Sequence, residues 1–215
     1  MISDLDSQHP HWEKTFTKNQ EMFGTEPSEP AQLCANILKQ NGLNAILELG
    51  AGQGRDTIFF AQQGFRVYTL EYTAIGVETI RKKAEDLGIS HLVTVIQHDV
   101  KNPLPFENAT LDACYSHMLF CMAFTTLELE TLSTEIRRVL NDGGLNIYTV
   151  RNTDDKHYGT GIHRGEDMYE INGFIVHFFN GEKVENLAKG YEIVDVSRFQ
   201  EGDLPRELFM VILRK

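Results

Sequence analysis

The sequence predicts an α/β protein with a doubly wound, mostly parallel seven-stranded sheet, an antiparallel last strand and N-terminal helices. Three observations predict this fold. From Ala45 onward, short apolar runs rich in β-forming residues alternate with longer segments of helical period. A glycine-rich turn follows the first of these runs. The last two strand-like runs are joined by a connection that is too short for a crossover helix.

Five runs in succession read as parallel strands: AILELG, RVYTLEY, VTVIQHD, LDACYSHMLF and GLNIYTVR. The intervening segments DTIFFAQQG, AIGVETIRKKAEDLG and LELETLSTEIRRVLNDGG carry apolar residues at three-to-four spacing and end near glycine, which is typical of helices. The runs YEIVDVSRF and LFMVILRK, joined by QEGDLPRE, are expected to pair antiparallel.

Two further helices are predicted before the first strand, over residues 10–23 and 29–41, separated by the helix-breaking stretch GTEPSEP. We expect residues 1–44 to form a helical lid over the carboxyl edge of the sheet, and residues 45–215 to form the cofactor-binding α/β core. A chain of 215 residues is consistent with one such domain.

The composition argues against several classes of partner. A formal charge of -11 without a local cluster of Lys and Arg disfavours nucleic acid. The sequence has no apolar run of bilayer-spanning length and no secretory signal, so we expect no membrane partner and a cytoplasmic protein. Three cysteines at irregular spacing predict buried thiols rather than disulfides, and no histidine spacing predicts a metal site.

The stretch ILELGAGQGRD, from Ile46 to Asp56, carries the functional signal. In open α/β sheets, ligands bind at the carboxyl ends of the strands, and glycines there let a ligand lie against the backbone. The glycines predict either a cradle for a nucleotide-bearing cofactor or only a tight turn between a strand and a helix.

Acidic residues near three strand ends favour the interpretation of the glycine turn as a cofactor-binding site. Glu71 closes the second strand, about twenty residues after the glycines, where a carboxylate can accept hydrogen bonds from ribose hydroxyls. Asp99 closes the third strand, and Glu48 lies inside the first. A nicotinamide dinucleotide would require G-x-G-x-x-G, but Arg55 stands at the sixth position. S-adenosylmethionine has no phosphate, is cationic and suits an acidic pocket.

These residues, with the HDV at 98–100 and the closing antiparallel pair, resemble class I S-adenosylmethionine-dependent methyltransferases from Ala45 to the C-terminus. GQGRD and the preceding GTEPSEP look most like the small-molecule branch that includes tellurite-resistance-type and thiopurine-type enzymes. The resemblance implies a Rossmann-like methyltransferase fold, S-adenosyl-L-methionine as cofactor, and in-line methyl transfer to a small-molecule acceptor. The alternatives are an NAD-dependent oxidoreductase and a non-catalytic S-adenosylmethionine-binding regulatory protein.

The resemblance also implies which residues form the site. Near the methionine end of the cofactor it places Glu48, Gly50, Ala51 and Gly52. It places Glu71 at the ribose and Ser116 near the methyl group. The residues expected at the adenine are Tyr72, Asp99 and Val100. Trp12 and Phe16 recur at helical spacing and are expected to form an aromatic lid or a docking face. His117, at the end of the fourth strand, and His163 are the candidate catalytic residues, and Arg164 and Tyr169 the candidate acceptor contacts.

Overall fold

The computed structural model describes Leu5, residues 8–202 and residues 206–215. Its helices are α1 (Gln8–Lys18), α2 (Glu29–Gln40), α3 (Arg55–Gln62), α4 (Ala74–Asp86), α5 (Thr126–Val139) and α6 (Gly181–Leu187). Its strands are β1 (Ala45–Leu49), β2 (Arg66–Glu71), β3 (Val93–Gln97), β4 (Leu111–His117), β5 (Leu140–Arg151), β6 (Ile162–Gly165), β7 (Met168–Ile171), β8 (Phe174–His177), β9 (Glu192–Glu201) and β10 (Arg206–Arg214).

Seven of these strands form one sheet in the order β3-β2-β1-β4-β5-β10-β9. The first five run parallel, and β10 pairs antiparallel with both β5 and β9. The predicted fold class is therefore confirmed, including the antiparallel closing pair. Strand order reverses between β1 and β4, so the loops after these two strands meet at one place on the carboxyl edge.

The sheet is covered on both faces. On one face, α2 and α3 pack against the sheet through a buried cluster that includes Cys34, Phe60 and Tyr115. On the other face, α5 and α6 pack through a second cluster that includes Leu132 and Val184. All three cysteines are buried and unpaired, as the sequence predicts.

The N-terminal helices have two different positions. α2 belongs to the core, because its residues Ala31, Cys34, Ala35 and Leu38 are buried against the sheet. Only α1 lies over the glycine-rich turn, and it ends at Lys18, before the predicted boundary at residue 23. The lid expected from residues 1–44 is thus confined, among the described residues, to α1 and the segment that follows it.

The region after β5 contains strands that the sequence analysis does not predict. Residues 162–177 form a separate antiparallel sheet in the order β6-β7-β8. The hairpin between β7 and β8 turns at Asn172 and Gly173, which both have positive φ, and an Asn-Gly pair between strands is a strong hairpin signal. Within the described residues, no helix has the length and apolar character that crossing a bilayer requires.

Candidate active site

The turn after β1 is shaped by three glycines with left-handed backbone angles. Gly50, Gly52 and Gly54 have φ of 65°, 56° and 81°. The amide of Gly50 donates to the carbonyl of Leu70 at 2.8 Å, which fastens the turn to β2. L-residues with side chains rarely adopt these angles, so glycine is required for this path of the backbone. Gly54 is also the N-cap residue of α3.

Glu71, the last residue of β2, holds this turn in place. One oxygen of its buried carboxylate accepts a hydrogen bond from the amide of Gly52 at 2.9 Å. The other oxygen accepts from the amide and the hydroxyl of Thr73, at 2.8 and 2.7 Å. Burial raises the pKa of Glu71, and the hydrogen bonds from Thr73 and Gly52 oppose that rise. Glu71 is therefore a structural part of the glycine turn as well as a candidate ribose ligand.

Glu48 lies in β1 directly beneath the turn and is 3% exposed. The hydroxyl of Thr57, on α3, donates a hydrogen bond to its carboxylate. Burial and the nearby charge of Asp56 raise the pKa of Glu48 to about 8, while the Thr57 hydrogen bond and Arg55 oppose the shift. Glu48 is therefore largely protonated at neutral pH in this structure, and a cation placed beside it would favour its ionised form.

Asp56 forms a buried network that ties the N-terminal segment to the sheet. Its carboxylate accepts hydrogen bonds from the amide and hydroxyl of Ser28, at 2.8 and 2.7 Å, and from the hydroxyl of Tyr115 at 3.1 Å. Ser28 is in turn the N-cap of α2. This network is not predicted from the sequence. Its one local signal is Ser28 followed by Glu-Pro, a typical helix start.

α1 lies on the glycine turn. A Cβ placed on Gly52 would meet the ring of Phe16 at 3.3 Å and the ring of Phe23 at 3.8 Å. The side chain of Gln53 accepts from the amide of Met22 at 2.9 Å and donates to the carbonyl of Asn19 at 2.8 Å. The rings of Phe16 and Phe23 therefore lie against the turn, and Gln53 fastens the segment after α1 to it.

Two further contacts fix the other side of α1. The carboxylate of Glu13 accepts from the amides of Ala74 and Ile75, at 2.9 and 3.0 Å, at the N-terminus of α4. A carboxylate is stabilised there by free amide groups and by the helix dipole. Trp12 packs on Phe174 of β8, with ring centroids 4.8 Å apart. α1 thus connects the glycine turn, α4 and the small sheet.

The residues predicted near an adenine follow β2 and β3 at the same edge. Tyr72 is half-buried, and burial raises its pKa. Its carbonyl accepts from the side chain of Gln97 at 3.1 Å. Asp99 is exposed and accepts from the amide of Lys101 at 3.0 Å, whereas Val100 is buried. Asp99 and Tyr72 therefore border one surface beside the glycine turn.

At the end of β4, His117 is held from two directions. Its Nδ1 lies 2.8 Å from the hydroxyl oxygen of Thr149, and its Nε2 lies 3.1 Å from Oε1 of Glu201. The Thr149 oxygen also accepts from the amide of Met118 at 3.0 Å, so its own proton can be donated to Nδ1. Nε2–H then donates to Glu201. In this arrangement neither ring nitrogen is free to take a proton from an acceptor, and sequence analysis missed both partners.

The candidate acceptor residues after β5 belong to the small sheet. His163 is exposed on its outer strand β6, with its ring 5.0 Å from that of Tyr169. Nε of Arg164 donates to Glu170 at 2.9 Å. β8, two strands away, is the strand that contacts α1. Among the described residues, no hydrogen bond or ring contact joins His163 to the glycine turn, although the small sheet follows β5 at the same edge.

The residues around the turn fit S-adenosylmethionine. The hydroxyl of Ser116 is fully buried and has no hydrogen-bond partner among the described residues, so a polar ligand at the end of β4 would satisfy it. The buried carboxyl groups of Glu48 and Glu71 favour a cation, which stabilises their ionised forms, and they offer no positive charge to a pyrophosphate. Within the described part of the chain, no group of three His, Cys, Asp or Glu could hold a metal ion.

Comparison with known proteins shows similarities in sequence and in fold. A family model described as a methyltransferase domain matches residues 46–144. An uncharacterised protein from Haemophilus influenzae is 29% identical over 83 residues, which span 39% of this chain and 31% of that protein. The match thus covers about a third of the relative's length.

Three solved structures share the fold. A SAM-dependent methyltransferase from Methanosarcina mazei aligns with a TM-score of 0.70 at 19% identity, covering 83% of this chain and 96% of the other. The 1,6-didemethyltoxoflavin-N1-methyltransferase from Burkholderia thailandensis gives 0.68 at 18% identity, covering 100% and 86%. TehB from Haemophilus influenzae gives 0.69 at 13% identity, covering 95% and 67%. Residues 46–144 are therefore similar to a methyltransferase domain, and the chain has the fold that these S-adenosylmethionine-dependent methyltransferases share.

Proposed function

We propose that this methyltransferase transfers a methyl group from S-adenosylmethionine to a small-molecule acceptor at the carboxyl edge of β1 and β4. The observation that carries the proposal is the glycine turn held by the buried carboxylate of Glu71, with the second buried carboxylate, Glu48, beneath it. The small-molecule substrate class is supported by the toxoflavin methyltransferase among the structural neighbours and by the net charge of -11, which disfavours nucleic acid.

In this proposal, different residues of the chain bind different parts of the cofactor. Gly50, Ala51 and Gly52 let the cofactor lie against the backbone, with Glu48 near its ammonium group and Glu71 at its ribose hydroxyls. Tyr72, Asp99 and Val100 border the adenine, and Ser116 offers its unpaired hydroxyl near the reacting carbon. Trp12 and Phe16 close the site from above. The cofactor supplies an activated methyl group on a sulfonium.

The chain's contribution to rate is then mainly positioning. The enzyme must hold the acceptor in line with the methyl group and keep water out, and α1 provides a cover for this purpose. A base is needed only for an acceptor that arrives protonated. His117 would act through Glu201, because both of its ring nitrogens are engaged. His163, Arg164 and Tyr169, on the small sheet, are the acceptor contacts that the sequence-based hypothesis offers.

The first test is ligand binding. We expect S-adenosylhomocysteine at about one hundred times its dissociation constant to stabilise the fold by roughly 2.7 kcal/mol, or roughly 5 to 10 °C in melting temperature. NAD should give no shift, because its pyrophosphate would face buried carboxylates. Differential scanning fluorimetry measures both. An absent shift with S-adenosylhomocysteine, or an equal one with NAD, would refute the cofactor assignment.

Turnover needs a separate assay, because a protein that only binds the cofactor would pass the first test. Production of S-adenosylhomocysteine from S-adenosylmethionine should depend on an added acceptor from a panel of thiols, metalloids, amines and alcohols. Binding without turnover on any acceptor would favour the non-catalytic regulatory protein.

The position of α1 predicts a second effect on binding. Replacing Glu13 with Ala removes the carboxylate that α1 places on the N-terminus of α4, a contact worth about 0.5 to 2 kcal/mol. We expect the dissociation rate of S-adenosylhomocysteine in stopped-flow measurements to rise several-fold, because the cover opens more often. Lys14→Ala, at an exposed position on the same helix, is the matched control and should leave the rate unchanged. Equal rates in both variants would show that α1 does not gate the site.

A further inference from the structure

A groove lies beside the glycine turn, on the α2 and α3 side of the sheet. It has a volume of about 500 Å³ and runs between residues 23–30 and the end of β9. Phe23 and Phe199 supply aromatic surface, and Arg55 lies between these two segments. Phe23 is 43% exposed, so part of its ring is open to the groove.

Three contacts join the groove to the site described above. Phe23 is also one of the two rings that lie against Gly52, so it separates the groove from the glycine turn by one side chain. Arg55 directly follows Gly54, and its guanidinium donates to the carbonyl of Phe23 at 2.9 Å. Glu201 lines the groove and accepts the hydrogen bond from His117 at the end of β4. A ligand in the groove would therefore lie next to the position proposed for the methyl group.

The charges of the groove select one kind of ligand. Three carboxylates line it, from Glu26, Glu29 and Glu201, against the single guanidinium of Arg55. That guanidinium already lies 3.7 Å from Asp56 and 3.8 Å from Glu201, so its charge is shared by two carboxylates. Arg206, just outside, lies 3.8 Å from Glu201. The lining is thus negative and aromatic, which fits a cation that has an apolar body.

Glu201 stays ionised in this setting. Burial raises its pKa, but the hydrogen bond from His117 and the charges of Arg55 and Arg206 outweigh burial, so the pKa is lowered. An ionised carboxylate that lines the groove can accept a hydrogen bond from an ammonium or amine N–H.

We propose that this groove, rather than the small sheet, is the acceptor site and that the acceptor is an amine with an apolar, preferably aromatic, body. This inference rests on the proposed function. The amine binds as an ammonium, so its nitrogen would first lose one proton to Glu201, which passes it to water at the open side of the groove. The freed lone pair would then form the new N–C bond as the C–S bond of the donor breaks and leaves its electrons on sulfur, and the methylated product would leave as an ammonium. His117 is then a positioning residue that orients Glu201.

The test uses a pair of probes that share size and shape but differ in charge. Benzylamine and benzoate are titrated by calorimetry into the full chain saturated with S-adenosylhomocysteine. We expect benzylamine to bind and benzoate not to bind. Glu26→Gln and Phe199→Ala should each weaken benzylamine binding about three- to fivefold, the range for an exposed charge or cation–π contact. Glu185→Gln, at an exposed position on α6 across the sheet, should leave binding unchanged.

Steady-state kinetics distinguish a residue that acts in the methyl-transfer step from one that only binds the acceptor. With benzylamine as methyl acceptor, Glu201→Gln should lower kcat at least tenfold, whereas Glu26→Gln should mainly raise KM. Benzoate binding as well as benzylamine, or benzylamine binding that neither groove variant weakens, would overturn the proposal. Failure of benzylamine to bind to a protein that still shows the S-adenosylhomocysteine thermal shift would overturn it while leaving the proposed function intact. Absence of that shift would refute the proposed function itself.

Discussion

We expect Gly76→Ala to lower S-adenosylhomocysteine affinity at least tenfold and to destabilise the fold by about 1 to 3 kcal/mol, the usual cost of overpacking. A Cβ at this position would lie 2.6 Å from the carbonyl oxygen of Gly52 and 2.8 Å from Cγ of Glu71. The first of these is backbone and the second belongs to the carboxylate that holds the turn, so neither can move without changing the cofactor site. Calorimetry and chemical denaturation measure the two effects.

The direction of this prediction opposes the usual effect of the substitution. Gly76 lies in the first turn of α4, and its φ is not positive. In a helix with free space around it, Gly→Ala stabilises by up to about 1 kcal/mol. Gly181→Ala on α6 is the matched control, because no atom lies within 4 Å of its added Cβ. If both variants had a higher free energy of unfolding than the parent protein, α4 would not be in close contact with the glycine turn.

The sheet and the cofactor side of the site are predictable because their signals are local. The alternation of apolar strands and amphipathic helices predicts the parallel core, and the short connection before the last strand predicts its antiparallel pairing. The three glycines with Glu71 and Glu48 also lie within a single strand-turn-helix-strand unit. Their proximity follows from the geometry of that unit alone.

The remaining features depend on contacts between distant parts of the chain. Glu13 meets α4 across 61 positions, and His117 meets Glu201 across 84. Nothing in the neighbourhood of either residue indicates its partner. The small sheet is a different case, because its strands have only four residues and mixed polarity, yet Asn172-Gly173 is a hairpin signal that local sequence does contain.

Glu71 shows how the structure changes a prediction made from sequence. As a ribose ligand alone, its replacement by Ala would weaken cofactor binding by about 1.5 to 3 kcal/mol and leave the fold intact. In the structure its carboxylate also satisfies the amides of Gly52 and Thr73. Removing it leaves two buried donors unpaired, so loss of stability accompanies loss of binding.

The pH dependence of stability is the second large effect, and it depends on Glu48. Its pKa of about 8 in the folded protein lies above the ordinary value of 4.5, so the folded state binds a proton that the unfolded state has released. The contribution of Glu48 to the free energy of unfolding is fully present below about pH 4.5 and is lost as the pH rises towards 8 and beyond. The loss by pH 9 is on the order of 3 to 5 kcal/mol.

Glu48→Gln keeps the carbonyl that accepts from Thr57 but cannot ionise, so it should remove this decline. We expect the variant to match the parent protein near pH 5 and to exceed its free energy of unfolding by several kcal/mol at pH 9, measured by urea denaturation across this range. Glu185→Gln, at an exposed position, should follow the parent at every pH.

A cation beside Glu48 favours its ionised form, so S-adenosylhomocysteine binding at pH 7 should release close to one proton from the parent and none from Glu48→Gln. Calorimetry in buffers of different ionisation enthalpy measures that proton, and equal release from both proteins would place the ammonium group away from Glu48.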